Sequence, residues 1–161
     1  MARVLIVGCG CRGRALAAAV REDGHEVRGT SRTAQGCAAI EAQGIEAVRA
    51  DPDRLGTLLA HLAEVSVVCW LMGSAHGDGV EAVHGSRWQS MVERLVDTSV
   101  RGAVYEGGGS VAAPLLEAGA AIARKAAQTF RMPVEVVEIG PADHVAWLAA
   151  SRVAVAAVLS R

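Results

Sequence analysis

The chain has 161 residues, a formal net charge of −1 and a pI near 6.5. This balance provides neither the basic footprint of a nucleic-acid-binding protein nor a polybasic patch for an anionic membrane. The length suits one domain with a substantial core, so we expect a single domain over residues 1–161 and small molecules as its partners.

The chain opens with a short apolar run followed by closely spaced glycines. Residues 4–7 are typical of a buried strand, residues 8–13 read Gly-Cys-Gly-Cys-Arg-Gly, and an alanine-rich helical stretch follows. Gly8 permits a sharp turn, Gly10 lets a phosphate approach the backbone, and Gly13 lets the helix pack closely on the strand. The helix N-terminus adds free N–H groups and a positive dipole. The pattern predicts a pyrophosphate cradle rather than an ordinary glycine turn, formed by Gly8, Cys9, Gly10, Cys11, Arg12 and Gly13.

A second predicted strand begins at Glu26 and ends in a hydroxylated, cationic loop. Sites specific for NAD carry an Asp or Glu near this point, which accepts hydrogen bonds from the adenosine ribose, and that carboxylate is missing here. Thr30 and Ser31 can donate to a 2′-phosphate, and Arg32 can pair with it through its planar fork. The loop therefore favours NADP over NAD as cofactor, the alternative being that Arg32 is an ordinary solvated residue.

Strand and helix signals alternate along the rest of the chain, without a repeat or a linker. Predicted helices cover residues 34–43, 54–63, 86–98, 112–130 and the segment after Asp143, and predicted strands cover residues 45–50, 65–71, 102–105 and 134–139. Such alternation indicates right-handed crossovers onto a parallel sheet. The predicted fold class is α/β, a three-layer Rossmann fold with a doubly wound parallel sheet of about six strands in the order 3-2-1-4-5-6.

A loop rich in glycine and histidine follows the fourth predicted strand. Its start should pass alongside the cofactor, so we expect contacts at Leu71, Met72 and Gly73. Further along, His76 and Asp78 are a candidate acid/base pair or, with His84, a weak metal site. Their spacing matches no metal motif, so a solvated loop histidine is the simpler interpretation and we expect no metal.

Cysteine usage and the apolar segments bear on the cell compartment. None of the cysteine spacings forms the paired ligand sets of a zinc site, so small buried thiols are the expectation. Cys11, at a helix N-terminus, is a candidate for oxidation. Arg12 and Arg14 interrupt the apolar N-terminal segment, and Arg152 lies within a C-terminal one that is too short to span a membrane. We therefore expect a cytoplasmic protein.

The N-terminal part of the chain resembles a known family. The stretch from Val4 to Arg32, with its glycine turn, the Gly24-His25-Glu26-Val27 turn and strand, and Thr30-Ser31-Arg32, resembles the extended or atypical short-chain dehydrogenase/reductases. Within them it is most similar to NAD-dependent epimerase/dehydratase-like, NAD(P)-binding proteins. The resemblance covers residues 3–72 well and the remainder by the order of elements. It implies a further cofactor contact at Asp51, because the family places an Asp after its third strand, near the adenine.

The chain departs from this family at the catalytic residues. Family enzymes carry a Tyr-x-x-x-Lys pair on the helix after the fifth strand, where the tyrosine transfers a proton and the lysine lowers its pKa. The corresponding helix here has Lys125 but alanine at residue 121. Lys125 is a candidate catalytic residue, or else a solvated lysine on a polar helix face.

Three residues near the end of the fifth predicted strand are further candidates. Tyr105 should open toward the cofactor crevice and could serve as an acid, or it is a packing residue with its hydroxyl tied to the backbone. Glu106 could be a base or a loop carboxylate. Ser110 could replace the family serine that polarises a substrate carbonyl, or lie in a plain flexible loop. Together with Lys125 and His76, Tyr105 completes the predicted catalytic set.

Two functions fit these residues. One is a noncatalytic NADP(H)-binding module, which the missing Tyr-x-x-x-Lys pair favours. The other is a small NADP-dependent oxidoreductase acting on an unidentified carbonyl or hydroxyl substrate. The alanine-rich helix at residues 112–130 and the apolar C-terminal helix also predict a homodimer, because one sheet face cannot cover both helices fully.

Overall fold

Six strands form one parallel sheet with helices on both faces in the computed structural model, which describes all of residues 1–161. The strands are β1 (Arg3–Val7), β2 (Glu26–Ser31), β3 (Glu46–Arg49), β4 (Val67–Trp70), β5 (Gly102–Glu106) and β6 (Val134–Val137). The helices are α1 (Cys11–Glu22), α2 (Ala34–Glu41), α3 (Leu55–Leu59), α4 (Val80–His84), α5 (Ser86–Leu95), α6 (Ala113–Phe130) and α7 (His144–Leu159). The strand order β3-β2-β1-β4-β5-β6 confirms the predicted fold class and topology.

The central strands are apolar along their whole length because both faces of the sheet are covered. β1 is followed directly by the glycine loop and α1, and β4 pairs with it in parallel, with Val4 opposite Val67. The four residues of β4 are all buried, as expected for a central parallel strand. This arrangement places the carboxyl ends of β1, β2 and β4 at one edge of the sheet.

Two hydrophobic cores lie on opposite faces of the sheet. One contains Trp70, Trp88 and Tyr105 and is covered mainly by α4, α5 and α6. The other contains Leu16 and Trp147 and is covered mainly by α1 and α7. Side chains along a strand alternate between faces, so successive residues of β5 face different cores.

The main departure from the predicted elements is the short helix α4, which lies in a stretch predicted as loop. Its five residues are too few to show a helical period in the sequence. The helix begins after Gly79, whose φ of +89° favours glycine, and it turns His84 into the core. No helix combines the length and the apolarity needed to cross a membrane.

Candidate functional site

A cleft of about 340 Å³ opens where β1, β2 and β4 end. Its volume is within the range of small-molecule sites. Most of the predicted cofactor contacts line it, namely Gly8, Cys9, Gly10, Arg12, Thr30, Ser31, Arg32, Leu71 and Met72. Arg14 also lines the cleft, so three arginines face the same space. The structure therefore brings the predicted loops together in one cationic cleft.

The glycines of the first loop have different roles. Gly8 has a φ of +79°, and a Cβ there would lie 2.5 Å from the carbonyl oxygen of Leu71, so the fold itself requires this glycine. A Cβ on Gly13 would lie 3.1 Å from the carbonyl oxygen of Gly8, which shows how closely α1 approaches the loop. A Cβ on Gly10 would meet no atom within 4 Å, and its φ of −79° is open to any residue. Gly10 therefore leaves free space in the cleft beside the N-terminus of α1, where an anion would be stabilised.

The end of β2 forms the opposite wall of the cleft. Thr30 is almost fully buried, and its Oγ1 accepts a hydrogen bond of 3.3 Å from the N–H of Gly8, so its first role is to support the glycine loop. Thr33 caps α2 by accepting a hydrogen bond from the N–H of Gly36. Arg32 is exposed at the rim and makes no ion pair within the chain, so its guanidinium is available to a ligand.

The remaining predicted cofactor residues lie beside the main cleft. Cys11 and Gly13 line a neighbouring pocket of about 100 Å³ that Glu106 also lines. Asp51 lines a smaller pocket with Arg32 and His76, and its Oδ1 accepts a hydrogen bond from the N–H of Asp53. The N–H of Gly73 donates to Glu106, so this glycine supports the site from behind.

The cysteines are all free thiols. Burial raises the pKa of Cys9 to about 11 and that of Cys69 to about 12, so both remain protonated and unreactive at neutral pH. Cys9 packs against Gly29 of β2, where a Cβ would lie 2.7 Å from its Sγ. Cys11 is exposed at the start of α1. The cysteine at residue 9 thus contributes packing and backbone to the loop.

The expectation that Tyr105 opens toward the cleft is wrong. Its side chain is fully buried, and its ring stacks on Trp88 with 5.2 Å between centroids. Its hydroxyl lies 2.5 Å from Nδ1 of His84. Burial raises the tyrosine's pKa well above its usual value. Tyr105 is a packing residue, as the alternative interpretation had it, although its hydroxyl is held by a histidine rather than by the backbone.

Lys125 also lies away from the cleft, which corrects its assignment as a catalytic candidate there. It is exposed in a groove between α5 and α6, with Gln89 and Phe130 nearby. Ser110 is exposed and does not line the cleft. Of the three predicted catalytic residues, only His76 lines the cleft.

His84 is the buried histidine of α4, and from the sequence it is proposed only as a metal ligand. Nε2 of His84 lies 2.7 Å from the carbonyl oxygen of Met72, which can only accept a hydrogen bond. We therefore assign the hydrogen to Nε2, and Nδ1 accepts from the Tyr105 hydroxyl. This arrangement fixes the cleft wall at Met72 from behind. No group of three or more His, Cys, Asp and Glu side chains is placed to hold a metal ion.

The buried His84 predicts a pH-dependent stability. Burial lowers the pKa of His84 below its usual value of about 6.5, so the unfolded chain binds a proton more readily than the folded one. The free energy of unfolding should therefore fall as the pH decreases through about 6.5. Urea denaturation at pH 5, 6, 7 and 8 measures this slope. The slope should be smaller in His84→Gln and unchanged in the exposed control His76→Gln; equal slopes in all three proteins would contradict the assignment.

Glu106 is a buried carboxyl in the neighbouring pocket, beside the cleft. Its Oε1 accepts a hydrogen bond of 2.6 Å from the N–H of Gly73 and lies 3.7 Å from Nη2 of Arg12. Burial raises the pKa of Glu106, and the Gly73 N–H, the Arg12 charge and a hydrogen bond from the indole N–H of Trp147 oppose this rise. Arg12 also donates to Ser74 at 2.9 Å and lies over the ring of Trp147, 5.8 Å from its centre. From the sequence, Glu106 is expected next to the crevice. The sequence does not show which helices cover the face of the sheet on which Glu106 lies.

The chain has a Rossmann fold, and similar solved structures include short-chain dehydrogenase/reductases, so the resemblance is confirmed at the level of the fold. No protein-family model and no curated protein matches the chain. Similar solved structures include a short-chain dehydrogenase/reductase superfamily protein from Agrobacterium tumefaciens with bound NAD, at a TM-score of 0.66 and 20% identity over 83% of this chain and 48% of that one.

Two further similar structures carry different cofactors. UDP-glucuronic acid 4-epimerase from Bacillus cereus, in complex with NAD, has a TM-score of 0.66 and 13% identity over 86% of this chain and 56% of that one. Triphenylmethane reductase from Citrobacter sp., complexed with NADP(H), has a TM-score of 0.65 and 18% identity over 83% of this chain and 48% of that one. The chain thus spans about half the length of these proteins.

Proposed function

We propose that the chain binds a nicotinamide dinucleotide, with the pyrophosphate on the loop of residues 8–13. The observation that carries this proposal is the free space at Gly10, beside the N-terminus of α1 and within a cleft lined by three arginines. Dinucleotides bound to proteins of the same fold support it. When bound, such a cofactor supplies hydride chemistry, and this chain's residues hold and orient it.

NADP is the cofactor that the end of β2 favours. Arg32 is exposed without an ion-pair partner, and Arg14 lines the same cleft. Neither Thr30 nor Ser31 provides the carboxylate that would accept the ribose hydroxyls of NAD. Isothermal titration with NADP, NADPH, NAD and NADH at matched salt tests the proposal. We expect micromolar binding of NADP(H) and much weaker binding of NAD(H); no binding of any of the four would refute it.

Arg32→Asp should reverse the cofactor preference. The exchange removes a charge-assisted contact with the 2′-phosphate, which should weaken the binding of NADP by about 10-fold to 100-fold. It also places a carboxylate where the ribose hydroxyls of NAD would donate. Arg94→Asp is the matched control because Arg94 is exposed on α5, outside the cleft. Titration of both variants with NADP and NAD measures the change. Unchanged NADP affinity in Arg32→Asp would exclude this residue from the 2′-phosphate site.

A noncatalytic binding module is the form of the function that the site supports best. The buried Tyr105, the alanine at residue 121 and the distant Lys125 leave the cleft without a tyrosine–lysine pair. A small NADP-dependent oxidoreductase is the second candidate, because His76 lines the cleft and Glu106 lines the neighbouring pocket. NADPH oxidation in the presence of small carbonyl compounds separates the two.

We also propose a cytoplasmic homodimer. Free cysteines fit a reducing compartment. Val145 and Val153 on α7 are 79% and 68% exposed, and Phe130 on α6 is 37% exposed, so either helix offers apolar surface to a second copy. Light scattering gives the mass in solution, and Val153→Asp or Phe130→Asp should return the protein to a monomer, depending on which helix is used.

A further inference from the structure

The side chain of Arg12 lies at the boundary between the cleft and the neighbouring pocket, and it lines both. Its Nη2 donates a hydrogen bond of 2.9 Å to Oγ of Ser74, in the loop that follows β4. The same nitrogen lies 3.7 Å from Oε1 of Glu106, and the guanidinium lies over the ring of Trp147. The side chain is 31% exposed. One partly exposed arginine thus connects the start of α1 to the loop after β4.

The buried carboxyl group of Glu106 does not depend on this arginine. Its Oε1 accepts a hydrogen bond of 2.6 Å from the N–H of Gly73, and the indole N–H of Trp147 also donates to the carboxyl group. The distance of 3.7 Å to Arg12 is longer than a hydrogen bond. The guanidinium can therefore move away while the carboxyl group keeps both of its hydrogen bonds.

Ser74 is a weaker partner for the guanidinium than a phosphate group would be. The serine oxygen is neutral, whereas a phosphate offers ionised oxygens that a guanidinium binds through two parallel N–H···O bonds. Arg12 follows Gly10 by two residues, and both residues line the cleft. A phosphate in the free space at Gly10 would therefore compete with Ser74 for the same guanidinium.

The bond from Arg12 also restrains the loop of residues 74–79. Among the side chains of this loop, Ser74 alone forms a hydrogen bond. The loop carries His76, which lines the cleft, and residues 76–78 are exposed. A ligand that took the guanidinium from Ser74 would thus remove the only side-chain hydrogen bond of the loop.

We propose that the contact between Arg12 and Ser74 is an autoinhibitory latch, which the pyrophosphate of a dinucleotide opens by taking the guanidinium. This inference rests on the proposed function, because it assumes that the pyrophosphate lies on the loop of residues 8–13. Breaking the contact with Ser74 opposes binding, so the serine lowers the affinity of the wild-type protein. Binding also frees the loop that carries His76.

Ser74→Ala tests the latch, because it removes the serine oxygen and keeps the arginine. We expect NADP and NAD to bind about 3-fold to 10-fold more tightly, since both carry the pyrophosphate and no contact with Ser74 has to be broken. Isothermal titration measures both affinities. Ser86→Ala is the matched control, because Ser86 is exposed at the start of α5 and lies outside the cleft. It should leave both affinities unchanged.

Arg12→Gln shows whether the gain depends on the arginine. This variant lacks the phosphate contact, so it should bind both dinucleotides about 10-fold more weakly than the wild-type protein. Adding Ser74→Ala to it should then change neither affinity. Hydrogen exchange of the ligand-free proteins is the second measurement. The amides of residues 75–78 should exchange faster in Ser74→Ala and in Arg12→Gln than in the wild-type protein.

Unchanged or weaker dinucleotide binding in Ser74→Ala would overturn the latch, as would the same gain in the Arg12→Gln background. A gain for NADP alone would contradict the transfer of the guanidinium to the pyrophosphate. Unchanged exchange at residues 75–78 in both variants would contradict the restraint on the loop. If the wild-type protein binds neither dinucleotide, the proposed function itself is refuted, and the latch with it.

Discussion

Gly10→Val is expected to weaken dinucleotide binding by about 100-fold or more without unfolding the protein. The backbone of Gly10 has a negative φ, and a Cβ there meets no protein atom within 4 Å. The added methyl groups would instead occupy the space in which we place the pyrophosphate. A loss of about 2.7 kcal/mol of binding free energy corresponds to this change. Isothermal titration measures the affinity, and thermal unfolding shows whether the fold is kept.

Two other glycines provide controls for this experiment. Gly56 is exposed on α3, where a Cβ also meets nothing within 4 Å, so Gly56→Val should leave both binding and fold unchanged. Gly8→Ala should lower stability, because its Cβ would lie 2.5 Å from a backbone oxygen at a positive φ. Wild-type affinity in Gly10→Val would place the ligand elsewhere and refute the pyrophosphate cradle.

Gly119→Ala is expected to lower the free energy of unfolding by about 3 kcal/mol, the combined cost of overpacking and a disrupted buried hydrogen bond. A Cβ on Gly119 would overlap the hydroxyl of Tyr105. The ring cannot move aside, because it stacks on Trp88 and its hydroxyl is held by His84. Nε1 of Trp88 donates to the carbonyl oxygen of Gly119 at 3.0 Å, which also fixes α6 against the ring. Urea denaturation measures the change.

A double-mutant cycle shows whether the tyrosine causes this loss. In a Tyr105→Val background the ring is gone. Gly119→Ala should then leave the free energy of unfolding unchanged or raise it by about 1 kcal/mol, because alanine has a higher helix propensity than glycine. Gly56→Ala on α3 gives the gain expected from propensity without a neighbouring ring. The same loss in both backgrounds would contradict the proposed contact between Gly119 and Tyr105.

The fold was predictable because its signals are local. An apolar run, spaced glycines and an alanine-rich stretch follow one another at the start of the chain. They predict a buried strand, a phosphate-binding turn and a helix. The parallel order of the strands then follows from the alternation of elements. The short helix α4 was not predictable in this way, since five residues span little more than one helical turn and its position depends on the burial of His84.

The candidate site was only partly predictable for a different reason. Alternation along β5 puts Tyr105 and Glu106 on opposite faces of the sheet, but the sequence does not say which helices cover each face. Tyr105 therefore faced the core of α5 and α6, whereas Glu106 came to lie beside Arg12 and Trp147. The phosphate loop needed no such information, because its residues are adjacent in the chain.

The packing of α7 on α1 has a consequence for how the protein folds. Arg152 binds Asp23 across 129 residues with a hydrogen bond of 2.8 Å, and Trp147 lies against Arg12 of the glycine loop. Bringing such distant residues together costs the entropy of closing a long loop, which the contacts of α7 must outweigh. On the ribosome, the glycine loop is synthesised early but acquires its final surroundings only after α7 has emerged.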